Sequence, residues 1–589
     1  MNGRTSVKAA PPTKGKSRSS VTAAPRAQPA PRRWIWAAGF GVALLATLIA
    51  YGPVLQGEFV FDDAHMQFAL PHPEKVPLAA WMSGARPLTD FSYWVNYQLG
   101  GANPLGYHLT NVLLHVIAAL MVFLIVRKVL DLASVDLRRR TIVAGFCGAI
   151  FLLHPVQTEA VAYISQRSEN LSVALAFAAW ACFLYRPSNA IGVRTVLLVI
   201  LLFGAAVAGK EHVAVLPLVL LLTDYYWNPG FSFEGVRRNW RLYAPLAVAG
   251  VMVGAFLYSY LANEPTVGFH MKEATPYQYL LTQCRVLFIY LRLFLLPYAQ
   301  TADYAIALSR TPLEHGAVFG MLALLAATVA AFVWRKRFPI ATFGFFVTLV
   351  FFLPTSSIMP VRDLAVERRL YLPMIGLLLM TSEVLVRVRW NERRLVAVLA
   401  GIVVVAGALT WNRSHVWSSS LALWSDAVEK SPQKPRSHFG LAAAEFSARR
   451  YADAIPQYAL ANSPEYQKDG AFYSNWAMAL SEVGRLKEGI QMGRKAVQLN
   501  PTAPSYHILS RLVALDGDIP QALELLDKGE KIDAAYVPLY IDRGNILMAI
   551  NRNAQACAAF QKAWSLDPQN LSAAKGLAVC AAPPRPPGQ

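Results

Sequence analysis

Long apolar segments alternate with short polar loops from residue 34 to residue 411. Such segments predict membrane helices, although several are shorter than the ~20 residues that a full span needs. Because polar residues such as His154, Lys210 and Glu211 lie at segment ends, we expect the short segments to line a polar cavity. The segments are Trp34–Tyr51, Leu105–Val126, Thr141–Val156, Glu169–Tyr185, Thr195–Gly209, Val213–Trp227, Leu242–Leu261, Gly316–Trp334, Pro339–Pro354, Leu370–Val386 and Leu395–Trp411.

The pattern changes after Trp411, where small residues and prolines recur with a period of about 34 residues, the tetratricopeptide spacing. Small residues let paired helices approach closely, and a proline ends the second helix of a pair. Four registers carry this pattern: Gly440, Ala452, Ala459 and Pro464; Ala477, Gly484, Gly489, Ala496 and Pro501; Ser510, Gly517, Ala522 and Gly529; Gly544, Ala556, Phe560, Ala563 and Pro568. The sequence predicts an all-α chain in which a polytopic membrane domain, residues 34–411, precedes a tetratricopeptide-repeat α-solenoid, residues 412–580.

The two ends of the chain read as disordered tails, residues 1–33 and 581–589. The first tail has eight Lys or Arg residues, no acidic residue and many Pro, Ala and Ser residues. Without a small-residue cleavage site, Trp34–Tyr51 is predicted to remain as a signal anchor. The net charge of +19 fits membrane orientation better than nucleic-acid binding, because the basic residues cluster between apolar segments.

Basic clusters orient the predicted helices through the positive-inside tendency. If the N-terminus is cytoplasmic, eleven spans put every cluster inside, provided that Tyr279–Pro297 is a re-entrant or interfacial helix. The prediction is a multi-pass protein of the cell (inner) membrane with an extracytoplasmic repeat domain. The clusters are Arg127-Lys128 with Arg138 to Arg140, Arg186 with Arg194, Arg237-Arg238 with Arg241, Arg335 to Arg337, and Arg387 to Arg394.

Asp62 and Asp63 follow the first apolar segment in the stretch Gly57–Asp63. Adjacent carboxylates are costly near lipid unless they bind or react with something. The alternative is that they cap the next helix. The predicted threading places them on the outer face with the other unusual polar loops, which favours a catalytic role.

Three further outer loops carry candidate ligand-binding residues. Arg167 and Glu169 can orient a sugar or phosphate at the head of a helix, or pair within their loop. Lys210 and Glu211 either neutralise each other or bring Lys210 to a lipid phosphate. In the loop Asp363–Pro373, Arg368 and Arg369 run against the positive-inside tendency, so an anionic ligand or the nearby acidic residues must compensate them.

Other features limit the chemistry. His108 lies on the second apolar segment, where a histidine is usually packed and hydrogen bonded. No H-E-x-x-H or C-x-x-C spacing supports a zinc site, and no phosphate-binding loop, dinucleotide fingerprint or G-x-S-x-G elbow is present. Cys557 and Cys580 can pair if their region faces an oxidising compartment, which the sequence leaves open.

Six motifs occur in the order found in a known family: Phe59-Val60-Phe61-Asp62-Asp63, Asn103 to His115, His154 to Val161, Gly209-Lys210-Glu211, Asp303-Tyr304, and Arg369-x-Tyr371-Leu372-Pro373. Together with the repeats, they resemble the transmembrane and tetratricopeptide-repeat-containing O-mannosyltransferases and their bacterial relatives, of the GT-C class. The resemblance covers nearly all of the chain after residue 34.

The resemblance implies a glycosyltransferase that moves a sugar, mannose among the candidates, from a polyprenyl-phosphate carrier to an acceptor hydroxyl, with inversion. Asp62 or Asp63 would act as the base. The acceptor would be a protein, held by the repeat array. Metal use varies in the wider class, so no cofactor is assigned and a divalent metal stays open. The implied donor-binding residues are His154, Arg167, Glu169, Lys210, Glu211, Arg368 and Arg369, with His108, Glu159, Asp303, Tyr304 and Tyr371 as a second tier.

The same residues are compatible with two other functions. A non-enzymatic scaffold would anchor a repeat module that recruits envelope proteins, since repeat arrays usually bind peptides on their concave face. A transporter of lipid-linked precursors would predict inverted repeats of the helical unit, and none is evident. The scaffold leaves the polar outer loops without a purpose and therefore ranks second.

Overall fold

The computed structural model describes residues 1–3, 5–8, 33–261, 267–271, 273–464, 468 and 470–581. A helix forms at every apolar segment that the sequence predicts. Most of the predicted tails, 1–33 and 581–589, lies outside the described residues. Residues 1–45 form one unit and residues 46–589 a second. The long helices of the first part of the chain are Arg33–Ala50, Pro87–Gly100, Pro104–Leu132, Leu137–Leu153, Arg167–Leu184, Val193–Gly209, Leu216–Trp227, Trp240–Leu261, Pro276–Leu295, Ala317–Trp334, Pro339–Phe352, Met374–Arg387 and Glu392–Val416.

Short helices and turns fill the loops between them. The α-helical ones are Gly52–Leu55, Leu78–Trp81, Thr158–Ala162 and Glu234–Arg238. The 3-10 turns are Phe61–His65, Gln67–Ala69, Pro73–Lys75, Pro155–Gln157, Ile164–Gln166, Glu211–Val215, Glu314–Gly316 and Glu367–Leu370. The described residues contain no strand, and one isolated antiparallel bridge joins Val267 to Val361.

Three helices in the described residues are long and apolar enough to cross a membrane: Pro104–Leu132, Glu314–Trp334 and Glu392–Val416. A fourth candidate is the bent pair Leu137–Leu153 and Pro155–Ala162. These helices indicate a membrane protein. The count of eleven spans stays a prediction, as does the interfacial role of helix Pro276–Leu295.

Loops that were predicted to share the cytoplasmic side contact one another. The Arg139 side chain donates to the Leu385 carbonyl at 2.6 Å, and Arg387 donates to the Arg337 carbonyl at 2.7 Å. A second group forms where the Ile191 amide donates to Asn239 at 2.8 Å. These loops therefore lie together in each group, although the side of the membrane they face stays a prediction.

Helix Pro87–Gly100 was not predicted from the sequence. It lies in the long loop after the first apolar segment, begins at a proline and ends before Gly101, whose φ is +61°. Its Tyr93 packs with Phe68, Trp81 and Tyr107 in an aromatic cluster that also holds Ile164. This cluster attaches the Asp62 loop to the loop that begins at His154.

The C-terminal part is an array of antiparallel helix pairs, as the repeat period predicts. Small residues lie at the predicted close approaches: a Cβ on Gly440 would come within 2.1 Å of Trp424, and one on Gly544 within 2.6 Å of Phe560. Cys557 and Cys580 form a disulfide, which settles the pairing that the sequence left open. The helices are Ser420–Lys430, Pro435–Ser447, Tyr451–Ala461, Gly470–Glu482, Leu486–Leu499, Ala503–Leu515, Ile519–Ile532, Val537–Ala549, Asn553–Leu566 and Leu571–Ala581.

Candidate active site

The two adjacent aspartates lie in the 3-10 turn Phe61–His65, where they point to different surroundings. Asp63 is fully buried, and its carboxylate accepts hydrogen bonds from the Ser165 hydroxyl at 2.6 Å and the Ser165 amide at 2.8 Å. Longer bonds come from the amides of Val60 and Ile164. Burial raises the pKa of Asp63 to about 7, although these hydrogen bonds oppose the rise. The Asp63 carboxylate therefore links the turn Phe61–His65 to the loop that contains Ser165.

Asp62 is exposed and lines a cavity. Its backbone amide donates to the Tyr163 hydroxyl at 3.1 Å, which fixes the turn. The carboxylate faces the cavity and interacts with the same hydroxyl. The cavity has a volume of about 1130 Å³. It is lined by the loops of the helical domain and by the first repeat helices, and it is roomy enough for a sugar phosphate.

Arg368 and Arg369 line another part of this cavity. The Arg368 amide and guanidinium both donate to Glu159, and the Asp363 carboxylate lies 3.7 Å from the guanidinium, so two carboxylates compensate Arg368. Arg369 donates to the Tyr279 hydroxyl at 3.3 Å and to the carbonyls of Leu364 and Asp363. Those partners are neutral, and in the described part of the chain no carboxylate forms an ion pair with Arg369. Its charge is therefore available to an anion in the cavity.

A second cationic group lies where the turn Glu211–Val215 meets helix Arg167–Leu184. The Lys210 ammonium pairs with Glu169 at 2.8 Å, and His212 contacts the other oxygen of Glu169 at 3.0 Å. Glu211 accepts two hydrogen bonds from Arg86 at 2.9 and 3.2 Å. Burial alone would raise the pKa of Glu211, but the charge and hydrogen bonds of Arg86 lower it to about 2. Lys210 and Glu211 thus have separate partners instead of neutralising each other.

The structure brings together six of the sequence-predicted site residues around the cavity. They are Asp62, Glu169, Lys210, Glu211, Arg368 and Arg369.

Arg167 and His154 lie away from the cavity and have structural partners. The buried guanidinium of Arg167 donates to Asn111 at 2.9 Å and to the Tyr107 carbonyl at 3.0 Å, and it lies 4.6 Å from the Tyr93 ring centroid. His154 accepts from the Val156 amide and donates to the Phe294 carbonyl at 3.0 Å. Both residues hold loops in place in this structure.

The five second-tier residues do not line the cavity. His108 is fully buried, and Tyr371 hydrogen bonds to His115 at 2.8 Å. Glu159 binds Arg368, while the Tyr304 hydroxyl donates to Glu367 at 2.9 Å.

Asp303 attaches the repeat array to the helical domain. It is 1% exposed and accepts hydrogen bonds from Arg436 at 3.0 Å and the Ser437 hydroxyl at 3.1 Å, and it pairs with Lys434. All three partners lie in helix Pro435–Ser447 or directly before it.

Several cavity residues were not found by sequence reasoning. Arg86 directly precedes the unpredicted helix Pro87–Gly100, and Arg362 directly precedes Asp363. Arg436 comes from the repeat array, 74 positions after Arg362 in the printed sequence. The charge of Arg362 beside Arg368-Arg369 was a usable signal, but nothing local to Arg436 indicates that it reaches this cavity. Over the described ranges, no group of three or more His, Cys, Asp or Glu residues is placed to hold a metal ion.

Comparisons with known proteins agree with the ordered motifs. No family model matches the chain. A protein O-mannosyl-transferase of Caenorhabditis elegans is 24% identical over 68% of this chain and 59% of its own length. Protein O-mannosyl-transferase TMTC3 of Mus musculus is 22% identical over 84% of this chain and 58% of its own length. The chain is therefore similar to protein O-mannosyl-transferases over two thirds or more of its length.

This relationship confirms the resemblance predicted from the motifs. Protein O-mannosyl-transferase TMTC4 of Homo sapiens is 26% identical over 67% of this chain and 62% of its own length. The chain thus spans about three fifths of the length of these curated relatives. Among solved structures, the tetratricopeptide-repeat protein YrrB matches 30% of this chain and 87% of its own, at 16% identity and a TM-score of 0.24. Since that score is low, the repeat assignment depends on the helix pairs described above.

Proposed function

We propose that this chain is a GT-C-type membrane glycosyltransferase that transfers a sugar from a polyprenyl-phosphate carrier to a hydroxyl of a protein acceptor. The observation that carries the proposal is a single cavity lined by both the exposed residue Asp62 and the cation of Arg369. A transferase of this kind needs a base beside the acceptor and positive charge beside the departing phosphate.

The reaction would be a single displacement at the anomeric carbon. Asp62 takes the proton of the acceptor hydroxyl, and the oxygen forms a bond to the anomeric carbon. The bond between that carbon and the phosphate oxygen breaks, and its electron pair leaves with the lipid phosphate. One displacement inverts the configuration. Asp63 is less suited to the role of base because its carboxylate is buried and already accepts hydrogen bonds from Ser165.

The departing phosphate would meet Arg369 and Lys210, which both line the cavity. Arg369 offers a planar guanidinium that can bind phosphate oxygens in pairs. Lys210 is a point charge that Glu169 compensates in part. Glu169 would orient Lys210 through their ion pair. Glu211 would orient Arg86, and Arg368 is held by Glu159 at the cavity wall.

Names of the relatives and the apolar helices support this proposal. The relatives are named as protein O-mannosyl-transferases, which supports a glycosyltransferase role and mannose as the sugar. In the membrane we propose eleven spans, a cytoplasmic N-terminus and an extracytoplasmic repeat array, because that threading keeps the basic clusters on one side. The donor would then be used on the outer side.

The test is transfer from a labelled polyprenyl-phosphate sugar in membranes that contain Asp62→Asn or Asp62→Ala. General-base catalysis is typically worth 10²–10⁴-fold, so transfer should fall by about that factor. The matched control is Asp136→Asn, which changes a carboxylate that caps helix Leu137–Leu153 away from the cavity. Undiminished transfer in both Asp62 variants would overturn the proposal, and parallel reactions with EDTA report metal use.

A scaffold without catalysis is the second candidate, and one observation favours it. A separate groove of about 510 Å³ lies in the last repeats, between Asp527 and Lys562. Such a groove can hold a peptide. Replacing residues 1–411 by an unrelated membrane anchor tests this function, because a scaffold would keep its activity in cells and a transferase would lose it.

A further inference from the structure

The first repeat helices, Ser420–Lys430 and Pro435–Ser447, are part of the cavity wall. Trp424 and Leu421 of the first helix line it, as do Arg436 and Phe439 of the second. The repeat array therefore does more than continue the chain beyond the helical domain. It contacts both loops that carry the proposed chemistry.

On the side of the proposed base, the loop before Asp62 runs against the start of the array. A Cβ on Gly57 would come within 2.9 Å of the Ser418 carbonyl, so the two backbones touch. The Glu58 amide donates to that carbonyl at 3.1 Å, and the Glu58 carboxylate accepts from the Ser420 amide at 2.6 Å. Glu58 thus satisfies an otherwise free donor at the N-terminus of helix Ser420–Lys430.

Phe61 connects this contact to Asp62. Its φ is +58°, in the left-handed region that aromatic residues rarely adopt. Its ring lies 5.2 Å from the Trp424 ring and 5.5 Å from the Tyr163 ring. An unfavourable backbone conformation persists where its surroundings enforce it, and here Trp424 supplies one side of the enforcement. Since Asp62 is the next residue, its direction depends on that contact.

On the side of the proposed phosphate site, Arg436 holds the loop that carries Arg369. Its guanidinium pairs with the carboxylate of Asp363 at 2.8 Å and with Asp303. The Asp363 carbonyl accepts a hydrogen bond from Arg369, and its carboxylate lies 3.7 Å from Arg368. Asp363 therefore links Arg436 to both Arg368 and Arg369.

We propose that the first two helices of the repeat array are a built-in part of the active site, in which Trp424 positions Asp62 and Arg436 positions Arg369. This inference rests on the transferase proposed above and deepens it. It differs from the expectation that the repeats only hold the acceptor, in which a chain cut after Trp411 would still bind donor normally.

The two roles predict different kinetics with a short synthetic peptide acceptor. Recruitment by the repeats predicts a changed KM for large protein acceptors and an unchanged kcat. Positioning predicts that Trp424→Ala lowers kcat by about 10- to 100-fold even for the short peptide, because a displaced catalytic group costs about that much. Trp424→Phe should restore much of the rate, since a smaller aromatic ring can still support Phe61.

Arg436→Gln should likewise lower kcat, with partial recovery in Arg436→Lys. The matched control is Arg485→Gln, which removes another ion-paired arginine of the array, bonded to Glu488 and outside the lining of both the cavity and the groove of the last repeats. That control should leave kcat with the short peptide unchanged. An unchanged kcat in Trp424→Ala and Arg436→Gln would overturn the proposal.

Hydrogen exchange tests the positioning role without a measurement of sugar transfer. We expect the backbone amides of residues 58–65 to lose protection in Trp424→Ala and to lose less in Trp424→Phe, while protection in the last repeats stays unchanged. That result supports the positioning role. Protection equal to that of the wild-type protein contradicts it. If the wild-type protein transfers no sugar but the exchange result holds, the transferase proposal fails while the physical coupling stands.

Discussion

The end of the repeat array beside the cavity, the near end, is bound to the rest of the protein by buried and partly buried charges. At the opposite, far end a disulfide joins two helices of the array. Near the cavity, Asp303 and Asp363 bind Arg436, and Arg413 binds both Glu367 and Asp426. At the far end, Cys557 and Cys580 join the last two described helices. Two regions with one helix-pair plan therefore depend on different forces.

The difference follows from what each end contacts. In a solenoid each repeat packs against its neighbours alone, so a distant change spreads little. The near end additionally packs on loops that carry Asp62 and Arg369. A substitution at the near end should therefore change both stability and transfer, while the equivalent substitution at the far end should change local stability alone. The following predictions test this contrast in order of decreasing expected effect on transfer.

Asp303→Asn should have the largest effect. It removes a charge that is 1% exposed and leaves Arg436 and Lys434 without their shared partner, a change that typically costs about 3–5 kcal/mol. Thermal unfolding and transfer with a short peptide measure both consequences. The matched variant is Asp527→Asn, whose carboxylate is 55% exposed in its pair with Arg543, and which should cost at most about 1 kcal/mol. Equal losses in the two variants would break the contrast.

Gly440→Ala and Gly544→Ala form the second test, because both add a methyl group at the same repeat position. The Cβ would clash with Trp424 in the first case and with Phe560 in the second. Overpacking of this kind typically costs about 1–3 kcal/mol, so both variants should lose stability. Displacement of Trp424 should also lower transfer, by up to about 100-fold. A similar fall in transfer for Gly544→Ala would show that the far repeats reach the cavity as well.

Acidification should open the near end before the far end. Burial acts to raise the pKa of Asp303, but the hydrogen bond and charge of Arg436 outweigh it and hold that pKa below its ordinary value. A lowered pKa means that the stabilisation is present above the ordinary value of about 3.9 and is lost as the pH falls through the folded value. Hydrogen exchange in helices Pro435–Ser447 and Leu571–Ala581 at successively lower pH checks the order. Simultaneous opening would contradict it.

Cys557→Ser should have the smallest effect on transfer, which we expect to be unchanged. Loss of a disulfide typically costs about 2–4 kcal/mol, here confined to the last helix pair. Proteolysis of helix Leu571–Ala581 should become faster in the variant, with Cys147→Ser as a control that removes a thiol outside the array. A drop in transfer with the short peptide would mean that the far end supports the cavity after all.

The positions of the helices could be predicted from the sequence because a helix makes its backbone hydrogen bonds within its own segment. The apolar character of a segment is likewise a property of its own residues. The repeat array was predictable for a similar reason, since small residues and prolines recur at a fixed period. Helix Pro87–Gly100 could not be found, because it is a short helix of mixed polarity whose apolar side is evident once Phe68 and Tyr107 are seen beside it.

The candidate site was predictable as a set of loops but not residue by residue. The sequence offered Arg167 as a phosphate-binding residue, yet the fold surrounds it with Asn111, Tyr93 and Tyr107. Arg436 carried no signal, because its role arises from the docking of two regions that are distant in sequence. A single sequence holds no direct record of such contacts.

The sequence by itself determined that the chain is helical, that its first part is apolar enough for a membrane, that repeats follow, and that polar loops separate the helices. Hydrophobic period and residue size are local properties, so they are readable along the chain. The tertiary structure decided that Asp62 opens to the cavity while Asp63 is buried against Ser165. Adjacent residues on one turn point in different directions, and long-range packing alone determines which of them meets the cavity.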